Sequence, residues 1–140
     1  MTSVLAGRRS ELAELEDLLD SLEDRRGRVL VVRGEPGIGK SAVLAIVADR
    51  ATARGMAVLT TCGVETEAQL PFAGLHQLLG PLLGEFNTLP APQRVALEAA
   101  FGLTDGAASD LFLIALATLD LLADAAARVP VLVIVEDGHW

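Results

Sequence analysis

The string Gly34-Glu35-Pro36-Gly37-Ile38-Gly39-Lys40-Ser41 constrains what this chain can fold into more than any other stretch. It fits G-x-x-x-x-G-K-[ST], a loop whose backbone N–H groups turn inward around a polyphosphate. In that frame Lys40 reaches the β- and γ-phosphates and the Ser41 hydroxyl holds Mg²⁺. The flanks suit it. Val29-Leu30-Val31-Val32 reads as a strand buried on both faces, as in a parallel sheet. Ser41 and Ala42 open an apolar helix running to about Arg54, with Gly55 as its stop. The helix N-terminus then faces the loop, and its dipole adds to anion binding. A glycine turn with a solvated lysine would also join a strand to a helix. The match at all four defining positions, in a strand–loop–helix frame, favours a nucleoside triphosphate site.

The bulk properties narrow the rest. With 140 residues, 51% of them hydrophobic, the chain can build a core and is not disordered. Eleven basic against 19 acidic residues give a net charge of −8, and nothing in that balance suggests a DNA-binding surface. Cys62 is the only cysteine, so no intrachain disulfide can form, in keeping with a reducing cytoplasm. The most apolar stretch, 111–127, is interrupted by Asp120 and Asp124 and makes a poor membrane span. No N-terminal signal is present, and a cytoplasmic protein is expected.

Patterning along the chain predicts an α/β fold. Ser10 is placed to cap a helix whose stripe is Leu12, Leu15, Leu18, Leu19 and Leu22, with Arg25, Arg26 and Gly27 ending it. The acids from Glu11 to Glu23 read as its solvated face. Residues 57–62 form a second strand. Pro71 starts a helix carrying Phe72, Leu75, Leu78, Leu79, Leu82 and Leu83, which Gly80-Pro81 splits. Pro92 sits in the first turn of a helix reaching Phe101, and Ser109 caps a long helix from Asp110 to about Arg128. Residues 131–135 form a third buried strand that ends in Glu136-Asp137. Three strands alternating with helices imply a parallel sheet flanked by helices, with a long helical insertion before the third strand.

Two carboxylates at the end of an apolar strand supply what a P-loop needs as its second element. Parallel strands bring their C-terminal ends to one sheet edge. One acid there holds Mg²⁺ and its neighbour orients or deprotonates the attacking water. Glu136, the first, is the metal-side candidate, and Asp137 the base. Alternatively the strand runs one residue further and Asp137 faces the metal. Strand alternation aims the two side chains differently, so they cannot share one job.

These segments resemble the AAA-like signalling ATPases. Residues 34–41 look like their Walker A loop, and residues 131–140 like their Walker B strand with a trailing His139-Trp140. Leu5-Ala6-Gly7-Arg8-Arg9-Ser10-Glu11-Leu12 resembles their opening motif. The likeness is strongest to the large ATP-binding regulators of the LuxR family. Their counterparts to Cys62-Gly63-Val64-Glu65 and Leu70-Pro71-Phe72-Ala73-Gly74-Leu75-His76-Gln77-Leu78-Leu79 are recognisable. The resemblance implies a STAND-type P-loop NTPase switch in a transcription regulator. ATP and Mg²⁺ bind the loop, the domain self-associates, and a C-terminal helix-turn-helix binds DNA. Gly7 and Arg8 would lie near the adenine. Glu136 stands where the family usually has aspartate. The extra methylene displaces the carboxylate from an octahedral Mg²⁺ site, which weighs on hydrolysis more than on binding. The family domain also continues past the Trp140 position with further strands, a sensor element, a helical lid and a DNA-binding region. In its sheet order a later strand separates the acid strand from the P-loop strand. Residues 1–140 are therefore expected to be the N-terminal part of such a domain, its sheet incomplete and its strand edges unpaired.

Other functions are a small-molecule kinase or a non-catalytic nucleotide-binding module. A kinase needs lid arginines that follow the phosphates. Residues 63–128 hold only Arg94 and Arg128 and no lysine, which disfavours it. His76 lies among leucines with no second ligand at metal spacing, so it reads as a packing histidine.

Overall fold

A computed structural model describes residues 9–32, 39–63, 72–105 and 110–136. In chain order these form α1 (Arg9–Glu23), α2 (Lys40–Ala53), β1 (Ala57–Cys62), α3 (Ala73–Leu79), a 3₁₀ segment (Gly80–Thr88), α4 (Ala91–Ala100), α5 (Leu111–Arg128) and β2 (Val131–Glu136). The chain divides into two compact units, Met1–Val58 with Val129–Leu132 and Leu59–Arg128 with Val133–Trp140.

In the first unit α1 packs on α2. Leu15, Leu18 and Leu19 are buried on α1, as its stripe predicts, and Val43, Val47 and Ala51 on α2. The acidic face of α1 is not simply solvated. Arg54 donates to Asp20 Oδ1 at 2.9 Å and pairs with Glu23 at 3.4 Å and with Glu16, while Arg50 also pairs with Glu16. The hydrogen bond it donates to Asp20 holds the Arg54 guanidinium above its ordinary pKa. Helix α2 closes with a 6→1 bond from Met56 N–H to Ala51 O at 3.0 Å and a 5→2 bond from Gly55 N–H to Thr52 O at 3.0 Å, with Gly55 at φ 79°. Helix α1 closes the same way, but the left-handed residue is Arg25 at φ 61° rather than Gly27. Ser10 is not a cap either. It lies inside the first turn, and its hydroxyl donates to Glu11 Oε2 at 3.1 Å.

The first of the three expected strands, at residues 29–32, is not formed. The described sheet has two strands, β1 beside β2. Residues 26–32 run without regular structure, with Val29 89% and Val31 65% exposed. A strand exists only where a neighbour accepts and donates its ladder bonds, and this segment has no such neighbour among the described residues. The two strands that do pair are parallel. Ala57 N–H donates to Pro130 O at 2.9 Å and Gly63 N–H to Glu136 O at 2.9 Å, with the same register at both ends. β2 alternates rather than being buried throughout: Leu132 and Ile134 are covered, whereas Val133 and Val135 are exposed.

The second unit holds the helical insertion. Helix α5 packs on α4 and on the 3₁₀ segment, burying Ile114, Ala117 and Leu121 together with Leu79, Leu82, Phe86 and Leu97. Gly80-Pro81 splits the α3 pattern as predicted, with Pro81 in the first turn of the 3₁₀ segment. Pro92 occupies the first turn of α4. The cap of α5 is Asp110, whose Oδ1 accepts the Leu113 N–H at 3.1 Å. Ser109 and Pro71 lie outside the described residues. Arg128, at the other end of α5, pairs with Glu85, which holds the guanidinium above its ordinary pKa.

Candidate functional site

Gly39 is the hinge of the phosphate-loop candidate. It stands at φ 89°, ψ 20°, a left-handed conformation that favours glycine, and immediately precedes Lys40, the first residue of α2. The first ladder bond of the helix, Val43 N–H to Gly39 O at 3.0 Å, starts from it. The amides of Lys40, Ser41 and Ala42 therefore belong to the first turn, whose N–H groups point off the helix end. The N-cap residue, Gly39, has no side chain to cap that end. Lys40 and Ala42 are half-buried and Ser41 is exposed. Ammonium, hydroxyl and helix-end amides make a donor set for a polyphosphate and its Mg²⁺, and these residues fit both. Gly34, Glu35, Pro36, Gly37 and Ile38 lie outside the described residues, as does Arg8.

The acid end of β2, from Val133 onward, belongs to the second unit. Glu136 is the last residue of β2, one position beyond the predicted strand, and is half-buried. Its register puts its Cβ on the same face as Leu132 and Ile134, opposite Val133 and Val135. Asp137 lies outside the described residues. The open apolar groove of about 520 Å³ whose walls include Phe72, Leu75, Leu111, Ile114, Leu119 and Leu122 presents no charged side chain. It suits no polyphosphate. His76 stacks on Phe101, with ring centroids 4.7 Å apart and planes 21° apart.

The model of the AAA ATPase domain family matches residues 4–140, nearly the whole chain. The chain belongs to that family. Neither the curated proteins nor the solved structures contain a match. An AAA ATPase domain has a P-loop NTPase fold and binds nucleotide. That agrees with a parallel strand pair, an uncapped helix behind a left-handed glycine, and a lysine and serine at its start. No helix among the described residues is long and apolar enough to cross a membrane. One contributor escaped the sequence reading. Gln77 of α3 accepts hydrogen bonds from Cys62 N–H and from the Thr61 hydroxyl, each at 2.9 Å. The only hint was a glutamine, beside His76, in a leucine-rich helix.

Proposed function

We propose that this AAA ATPase domain is the ATP-binding and ATP-hydrolysing switch of a LuxR-family transcriptional regulator of the STAND type. The observation that carries the nucleotide reading is the left-handed Gly39 opening an uncapped α2 with Lys40 and Ser41 in its first turn. Gly34 through Ala42 supply the cradle, with Lys40 on the β- and γ-phosphates and Ser41 toward Mg²⁺, while Arg8 lies by the base. Mg²⁺, which Ser41 and Glu136 would hold, would supply positive charge against the phosphates. Glu136 takes the metal side and Asp137 orients and deprotonates the attacking water. The regulator assignment is supported by the sequence blocks at 62–65 and 70–79.

Residues 29–32, which have no strand partner among the described residues, support a further strand in the sheet of the whole domain. On this reading the chain is the N-terminal part of a larger cytoplasmic protein that self-associates through the ATPase domain and meets DNA through a C-terminal region.

Two substitutions in the full-length protein test the roles. Lys40→Ala abolishes Mg-ATP binding in calorimetry, and unchanged affinity contradicts the P-loop assignment. Asp137→Asn keeps affinity but slows steady-state hydrolysis about tenfold or more, the scale of a lost general base. If Glu136→Gln alone stops turnover, the two acids exchange roles. If neither variant changes turnover, the acid strand takes no part in hydrolysis.

A further inference from the structure

The amides of a strand point alternately to its two sides. Ala57 and Gly63 donate toward the β2 side, to Pro130 O and Glu136 O. Cys62, one residue before Gly63, therefore sends its N–H to the outer edge of β1, where another strand would ordinarily accept it. Among the described residues no strand does so, since the described sheet consists of β1 and β2 alone. Gln77 Oε1 takes the bond instead, at 2.9 Å, and the same oxygen accepts the Thr61 hydroxyl at 2.9 Å. A backbone N–H can only donate, so the amide oxygen, not the nitrogen, must face it. Both acceptor positions of that oxygen are filled. Helix α3 also comes close at Gly74, where an added Cβ would stand 3.4 Å from Thr61 Oγ1.

Helix α3 is itself held firmly. Leu79 is fully buried and Leu78 nearly so, and His76 stacks on Phe101 at the end of α4. Gln77 thus ties a fixed helix to the C-terminal end of β1. The next amide along, Gly63 N–H, holds the carbonyl of Glu136, the acid that ends β2.

We propose that Gln77 is a positioning residue for the acid end of β2: it clamps the outer edge of β1 at Thr61 and Cys62, and through Gly63 fixes the backbone of Glu136. This rests on the reading of the chain as an ATPase with Glu136 and Asp137 at its acid strand. Gln77 acts through β1, where its oxygen accepts from Thr61 and Cys62. It sets the aim of the carboxylates, so its loss slows turnover and leaves the phosphate cradle on α2 intact.

The test compares Gln77→Leu, Gln77→Asn and Gln77→Glu in the full-length protein, measuring Mg-ATP affinity by calorimetry, kcat for hydrolysis, and amide hydrogen exchange at Cys62 and Gly63. Gln77→Leu lowers kcat about tenfold, the scale of lost outer-shell partners, while Kd stays within roughly twofold. The Cys62 amide exchanges faster. Gln77→Asn, too short to reach β1, behaves alike and carries the test if the leucine variant does not fold. Gln77→Glu, whose carboxylate accepts both bonds, recovers most of the rate. The proposal is overturned by an unchanged kcat in the leucine and asparagine variants, by equal losses of affinity and rate, or by a glutamate variant as slow as leucine. A wild-type protein that binds no Mg-ATP overturns the ATPase reading as well, and the calorimetry tells the two failures apart.

Discussion

Arg25 bears a backbone conformation that costs an L-residue about 1–2 kcal/mol, at φ 61°. It occupies the left-handed position that ends α1, with Arg25 N–H bonded to Leu22 O and Arg26 N–H to Ser21 O. Arg25→Gly relieves that strain but gives the unfolded chain about 0.5–1 kcal/mol more entropy to lose. A net gain of about 0.5–1 kcal/mol follows, read as a rise of a few degrees in the thermal midpoint; no rise means that the αL geometry at Arg25 carries no strain. The helix end itself was legible in the sequence, because cations followed by glycine mark a stop. Which residue turns left-handed was not, because the choice depends on the two reverse-turn bonds closing on Ser21 and Leu22. Capping at α5 follows the same logic. The sequence pointed to Ser109, but the bond from Leu113 N–H to Asp110 Oδ1 makes Asp110 the cap.

At the scale of elements, α1 and α2 are joined by leucine and valine packing and by a charge network centred on Arg54. Its side chain is 26% exposed, and its guanidinium faces Glu16, Asp20 and Glu23. A single exposed pair contributes little, but several carboxylates around one partly covered arginine form a network. Arg54→Ala lowers stability by about 1 kcal/mol in denaturant titration, and 1 M salt shrinks the difference because exposed charges are screened. Full persistence of the effect in salt would move its origin to lost packing of the arginine stem. The helices were readable because each carries a periodic stripe. The charge network was not, because Glu16 and Arg54 lie 38 residues apart and only folding brings them together. The strand at residues 29–32 failed for a related reason. Its apolar pattern is local, but the hydrogen bonds that make a strand come from a neighbour.

For the whole molecule, the AAA ATPase family was the most legible part, because its motifs are encoded in runs of consecutive residues. Lys40 starts α2 one residue before the predicted position, behind a glycine with the required backbone angle. The acid strand was legible as far as Glu136. Gln77 was not, since its meaning depends on which edge of β1 is left open. The measurement that bears most directly on the account is calorimetric titration of the full-length protein with ATP, with and without Mg²⁺, beside the Lys40→Ala variant. The account predicts saturable heat from the wild type that strengthens with Mg²⁺ and vanishes with Lys40. A wild-type protein that gives no heat with either ATP or GTP contradicts it.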